Sequence, residues 1–316
     1  MKAMKGLELA RGFYEEYGAP MIREQFPEWE SRIAVGLVGS GSECFGFDDE
    51  TSRDHDFEPA FCLFIPGEDV LDRQTCFRLE RAYAKLPKEY GGLPRLAISP
   101  VGGNRHGVIR IADFYGAKVG SPDGLLSTDA WLSLPSYALA EATNGEVFRD
   151  DDGLFSSIRA RLLAMPEDVR LKKLAGNLLL MAQAGQYNYN RCLAHGETAA
   201  AQLAAVEFSK AALQTLFLLN RAYMPYYKWS FRALRGLPKF SNLAETLEFL
   251  LTTENTGDLA ETKYLVIEDV ASLVIAELID QGLTKAVCGD LEKHAYSVND
   301  AIRDPDLRNR SVFAAV

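Results

Sequence analysis

Asp54 and Asp56, separated only by His55, stand just ahead of the apolar run Phe61-Cys62-Leu63-Phe64-Ile65, which ends at Pro66. Along an extended segment side chains alternate faces, so the two carboxylates project together while His55 points away. Carboxylates ~6–7 Å apart on one face repel each other unless a cation lies between them, which suits Mg²⁺, with Mn²⁺ as the second candidate, and phosphate-bearing substrates. The apolar run over residues 33–38, rich in β-branched residues, stops at Gly39-Ser40-Gly41-Ser42, and thirteen residues separate Ser40 from Asp54. Small residues there let backbone N–H groups and the Ser40 and Ser42 hydroxyls approach phosphate oxygens. Together the two stretches read as a clamp for a nucleoside triphosphate. Other glycine-rich readings fail: a P-loop needs Gly-Lys-Ser/Thr and no lysine is present, and a dinucleotide fingerprint needs a small residue where Cys44 stands. The bland alternative is a glycine turn followed by a solvated acidic loop, built from ordinary loop residues.

The order hydrophobic-Gly-Ser, spacer, Asp-x-Asp, here Val38-Gly39-Ser40 and Asp54-His55-Asp56-Phe57, is similar to the signature of the polymerase-β-like nucleotidyltransferase superfamily. The wider string Gly39-Ser40-Gly41-Ser42-Glu43, Phe47-Asp48 and Ser52-Arg53-Asp54-His55-Asp56 resembles the DUF4037 branch of that superfamily. So do Trp131-Leu132, Gly145-Glu146-Val147-Phe148-Arg149-Asp150 and the block from Phe217 to Trp229, so that the resemblance covers about residues 30–235. It implies a nucleotidyltransferase that moves a nucleoside monophosphate from a triphosphate such as ATP to an acceptor, with Asp54 and Asp56 holding the metal and Gly39, Ser40 and Ser42 placing the phosphates. It also implies a third acid on a later strand. Within Gly107-Val108-Ile109-Arg110-Ile111 the charged residue is arginine, and the nearest acid is Asp113. Asp113 reads either as the catalytic acid that takes the acceptor proton or as the N-cap of the turn after it.

The elements that must position these residues follow from hydrophobic periodicity. Residues 7–26 read as an amphipathic helix interrupted near residues 18–20, and residues 70–86 as a helix ending before Pro87. Residues 33–38 and 61–65 read as buried strands; residues 95–101 and 106–111 read as two more, joined as a hairpin through Gly102-Gly103-Asn104-Arg105. The expected fold is α/β (α+β), a small mixed sheet followed by a helical bundle. The break Ser121-Pro122-Asp123-Gly124 and the alanine- and leucine-rich composition beyond it set a boundary near residue 125, giving a catalytic domain over 1–125 and an all-helical domain over 126–316. Helices are expected over residues 129–141, 154–164, 168–184, 199–221, 242–253 and 262–283, with an acidic loop over 145–153. The run Asp150-Asp151-Asp152 reads as N-capping and macrodipole contacts rather than a metal site.

Tyr223-Met224-Pro225-Tyr226-Tyr227-Lys228-Trp229, followed by Arg232 and Arg235, concentrates aromatic rings with cations. Functionally, Tyr227 stacks on a base and Lys228 meets the triphosphate. Structurally, the same block is a helix end broken at Pro225, with cations snorkelling over buried rings.

A chain of 316 residues with 47% hydrophobic content has material for two cores. The net charge of −10 disfavours a polyanionic acceptor, so a small molecule or a protein side chain is favoured over nucleic acid. Five cysteines, odd in number and without Cys-x-x-Cys, fit a reducing cytoplasm, and the four histidines lack zinc-ligand spacing. No apolar stretch approaches ~20 residues, so no membrane association is expected. A function of another class, a catalytically inactive nucleotide-binding or interaction module that retains the fold, stands beside the enzyme reading.

Overall fold

A computed structural model describes residues 4–51, 57–95 and 105–316. The chain forms two compact units, Met1–Leu126 with Ala138–Ala164, and Ser127–Tyr137 with Met165–Val316.

The first unit opens with helix α1 (Gly6–Phe13), which buries Leu9, Ala10 and Phe13. It continues through a π-helical turn, Tyr14–Gly18, into α2 (Ala19–Gln25), so the interruption expected near residues 18–20 is a widened turn rather than a break. Strands β1 (Ala34–Leu37) and β2 (Cys62–Ile65) are buried at every position, as unbroken apolar runs require. Helix α3 (Arg73–Ala84) is started by Asp72, whose carboxylate accepts from the Thr75 N–H at 2.7 Å. A small ribbon, β3 (Glu89–Tyr90) and β4 (Leu93–Pro94), precedes β5 (Gly107–Arg110) and α4 (Ile111–Val119). After α5 (Thr128–Ser133), which belongs to the second unit, come α6 (Ser136–Thr143), β6 (Glu146–Arg149) and α7 (Leu154–Leu163).

The main sheet has the order β5-β2-β1-β6. β1 runs antiparallel to both β2 and β6, whereas β2 and β5 are parallel. The fold is therefore mixed α/β with a small mixed sheet, as the residue pattern implied. Three local expectations are corrected. Residues 145–153 were expected as an acidic loop, yet Glu146–Arg149 forms an edge strand on β1. The strand at residues 107–110 pairs in parallel with β2, and the first arm of the expected hairpin falls mostly on residues 96–104, outside the described residues. The single helix over residues 129–141 is two, because Leu134 ahead of Pro135 takes an extended ψ of 126°.

β6 fits against β1 only because two glycines meet there. A Cβ on Gly145, whose φ is +64°, would stand 2.0 Å from the Leu37 carbonyl oxygen; one on Gly36 would stand 2.5 Å from the Glu146 carbonyl oxygen. Beneath the sheet, Phe13, Tyr14, Phe61 and Tyr83 form a tilted and edge-on aromatic cluster. On the other side Phe64 stacks on Phe155 at 4.2 Å and meets Phe114 edge-on at 5.2 Å.

The second unit consists of helices and, among the described residues, no strand. α8 (Glu167–Met181) packs against α10 (Thr198–Leu219) and α14 (Leu291–Asp300). A π-helical segment, Ala182–Tyr189, leads from α8 into α9 (Asn190–Ala194). The remaining helices are α11 (Tyr227–Leu234), α12 (Leu243–Thr252), α13 (Gly257–Asp280) and α15 (Pro305–Asn309). Two lysines are fully buried. Lys172 donates to Asn299 Oδ1 at 2.8 Å and to the Arg308 and Arg310 carbonyls at 3.2 and 2.7 Å. Lys263 donates to Gln202 Oε1 and the Thr253 carbonyl, each at 2.8 Å. Among the described residues no helix is long and apolar enough to cross a membrane.

Candidate functional site

Strand directions gather chemistry at one edge of the sheet. Gly36 faces Cys62, Cys62 faces Gly107 and Leu37 faces Glu146, so β1 ends where β2, β5 and β6 begin. The segment after β1 therefore shares an edge with Glu58, with Arg105 and His106, and with the end of α6.

The segment after β1 is the Gly39-Ser40-Gly41 turn. Gly39 and Gly41 have φ of +113° and +124°, conformations that side-chain-bearing residues avoid, and a Cβ on Gly41 would lie 2.1 Å from Glu43 Oε1. Asn144 pins the turn: its Oδ1 accepts from the Gly39 N–H and its Nδ2 donates to the Gly39 carbonyl, both at 2.8 Å. Ser40 Oγ donates to Glu141 Oε2 at 2.8 Å. The Lys118 ammonium reaches both, donating to Ser40 Oγ at 2.7 Å and to Glu141 Oε2 at 2.6 Å. Lys118 and Glu141 keep 20% and 21% of their side-chain surface exposed, so the pair is partly open to solvent.

Glu43 follows at once. Burial raises its carboxyl above the usual range, partly offset by a hydrogen bond from its own backbone N–H and by the charge of Arg105. A carboxyl raised in this way suits general acid–base work better than an ordinary surface acid. Ser42 is 9% exposed, and its Oγ lies 3.5 Å from Glu43 Oε2, at the outer limit of a hydrogen bond. His106 Nδ1 lies 3.2 Å from Glu58 Oε1. The two thiols nearby are not nucleophiles: burial pushes Cys44 well up and Cys62 to about 12, leaving both protonated. Asp48 has a structural task, accepting from the Gly6 N–H at 3.0 Å at the start of α1, with Lys5 3.7 Å from its other oxygen.

Of the residues singled out by sequence, Gly39, Ser40 and Ser42 occupy this edge. Asp54 and Asp56 lie outside the described residues, and among the described residues no group of three or more His, Cys, Asp or Glu side chains is arranged to hold a metal ion. Asp113 does not join the site. It sits exposed in the first turn of α4, after the far end of β5, and the N-cap position belongs to Arg110. Five residues from Lys118 along a helix, it is roughly 7–8 Å away along the axis and ~140° around it. Tyr227 and Lys228 belong to the second unit, in the first turn of α11. Tyr227 is 71% exposed with its ring 4.4 Å from that of Tyr226, and the Lys228 ammonium lies 5.1 Å from the Trp229 ring. Asp150 caps α7 by accepting from the Ser156 N–H at 2.7 Å, while Asp151 and Asp152 pair with Arg149 and Arg32. Glu146 pairs with Arg11.

Lys118, Glu141 and Asn144 escaped notice in the sequence, and Glu43 was read only as part of its motif, with no role given to it. One signal was available for Lys118. Phe114 is a core residue of α4, so Lys118, four positions later, had to lie on the same inward face. Glu141 and Asn144 carry no such sign.

A family described as a domain of unknown function, DUF4037, matches residues 131–230. The matched segment contains Glu141 and Asn144 of the first unit and Tyr227 and Lys228 of the second. No curated protein and no solved structure matches the chain.

Proposed function

We propose that this protein is a Mg²⁺-dependent nucleotidyltransferase of the polymerase-β-like type, which moves a nucleoside monophosphate from a nucleoside triphosphate to an acceptor hydroxyl and releases pyrophosphate. The observation that carries the reading is the Gly39-Ser40-Gly41 turn behind a buried strand, its hydroxyl 2.7 Å from the Lys118 ammonium at the edge where β2 begins. Backbone N–H groups of a glycine turn, a serine hydroxyl and an ammonium are together the donors a polyphosphate needs.

In this reading Gly39, Ser40 and Ser42 hold phosphate oxygens. Asp54 and Asp56 supply the hard oxygen donors that Mg²⁺ or Mn²⁺ takes, and the ion, when bound, offsets charge on the triphosphate. Glu43, raised by burial, replaces Asp113 as the described acid best suited to receive the acceptor proton. The family resemblance also implies a role in nucleotide binding for Tyr227 and Lys228 of the second unit. The acceptor is a small molecule or a protein side chain, in keeping with the net charge of −10, and five unpaired cysteines fit a cytoplasmic setting.

The test is label transfer from each of the four α-phosphate-labelled nucleoside triphosphates to components of a cell extract with Mg²⁺ present. The native chain transfers label, and Asp54→Asn and Asp56→Asn do not. Absence of transfer from all four nucleotides removes the reaction. The exposed position of Asp113, away from the turn, favours a second reading, a nucleotide-binding module without transfer activity. That module binds nucleotide, seen as a thermal shift, and transfers no label.

A further inference from the structure

Glu141 Oε2 is an anionic oxygen held by two donors, the Ser40 hydroxyl at 2.8 Å and the Lys118 ammonium at 2.6 Å. A non-bridging phosphate oxygen presents the same charge type and accepts the same kind of hydrogen bond, so the two compete for one seat. The three side chains come from separate stretches of chain, with Ser40 and Glu141 101 positions apart. Their meeting is thus a product of the fold and not of local sequence. Lys118 makes no other described ion pair, and Glu141 keeps partial access to solvent from the end of α6. Asn144 keeps the turn in place whether or not Glu141 is engaged, because its bonds go to the Gly39 backbone.

We infer that Ser40 and Lys118 form an anion seat for a phosphate group of a polyphosphate ligand, and that Glu141 is the intramolecular anion that fills this seat until the ligand displaces it. The inference deepens the nucleotidyltransferase reading by naming the phosphate-binding cation and adding an internal competitor, and it rests on that reading for the identity of the ligand. Such a competitor lowers the apparent affinity by the fraction of molecules whose seat is open, and neutralising it restores that fraction. Lys118 is accordingly held oriented before the ligand arrives, and weakly binding anions are turned away.

The probe is inorganic tripolyphosphate, titrated calorimetrically into the full chain at pH 7.5 without Mg²⁺, with Asp54 and Asp56 present alike in the native chain and in every variant. Glu141→Gln, which keeps shape and removes charge, is expected to bind at least tenfold more tightly than the native chain. Lys118→Gln and Ser40→Ala are each expected to bind at least tenfold more weakly. Glu141→Ala serves as the second variant if Glu141→Gln melts early. Unchanged or weaker binding by both Glu141 variants overturns the inference, as does unchanged binding by Lys118→Gln, or no binding by native chain and variants at millimolar concentration. Label transfer is scored separately: tighter binding in Glu141→Gln with no transfer from any nucleotide removes the reaction and leaves the seat, whereas transfer without that gain does the reverse.

Discussion

Asn144 lays its side-chain amide along the backbone of Gly39, giving and receiving a hydrogen bond at 2.8 Å, as a strand neighbour would. The amide extends the β1–β6 pairing by one step into a turn whose positive φ admits no regular partner. Asn144→Ala leaves both Gly39 groups to solvent and is expected to destabilise the first unit by ~1–3 kcal/mol, read from urea unfolding. Under the proposed function, nucleotide affinity is expected to fall with it. A variant as stable as the native chain would show that the turn holds its shape without the amide.

Gly145 is the less forgiving neighbour. Its φ of +64° is strained for any other residue, and a Cβ would stand 2.0 Å from the backbone oxygen of Leu37. Gly145→Ala is expected to destabilise by ~3 kcal/mol or more, the sum of backbone strain and a clash that no flexible side chain relieves. The midpoint of thermal unfolding checks this, with Gly153→Ala as the comparison: it has a similar φ of +69° and no atom within 4 Å of the added Cβ.

Lys263 links the second unit to pH. Burial lowers its ammonium to about 8, while the unfolded chain keeps a lysine near its ordinary value of roughly 10.4. Between these values the unfolded state binds more protons than the folded one, so this residue's contribution to stability rises with pH. Below the folded value the ammonium is charged in both states and its burial penalty is fully present. Denaturant unfolding of the native chain and of Lys263→Met, at steps from pH 7.5 to 10.5, should give a stability difference that moves toward the native chain as pH increases. A flat difference contradicts the argument.

Lys172 fastens the C-terminal segment. Its ammonium, fully buried, holds the Asn299 side chain and the carbonyls of Arg308 and Arg310. Lys172→Met is expected to cost ~2–4 kcal/mol and to speed amide hydrogen exchange over residues 305–316 before the rest of the second unit responds.

Tyr227 and Lys228 separate stability from binding. Both are exposed, so Tyr227→Ala and Lys228→Ala are expected to change stability by no more than ~0.5 kcal/mol. If they serve the nucleotide, each lowers ATP affinity about tenfold at constant melting temperature, a loss of ~1.4 kcal/mol in binding. Unchanged affinity in both assigns the aromatic block to packing at the Pro225 break.

Where periodicity was strong, the sequence was readable. The apolar runs at residues 33–38 and 61–65 announced β1 and β2, and the glycine-serine turn between them was visible because glycine has so few reasons to recur at alternate positions. β6 was not visible. Glu146-Val147-Phe148-Arg149 is short and half-buried throughout, follows a glycine and runs into three aspartates, all of which are features of a loop. The parallel pairing of β5 with β2 also left no local trace, since strand order is decided by the crossover through α3 and not by the residues of either strand. The candidate site divides along the same line: Ser40 was found from its turn, whereas Lys118 and Glu141 arrive from 78 and 101 residues away.

β6 follows α5, a helix of the other unit, in the chain. The edge of β1 that it covers is therefore bare during synthesis of residues 1–145, and a fragment ending at residue 125 would present an unpaired, apolar strand margin to every similar fragment in solution. The first unit is a discontinuous object, and excising it means joining residue 126 to residue 138, not trimming the chain at a single point.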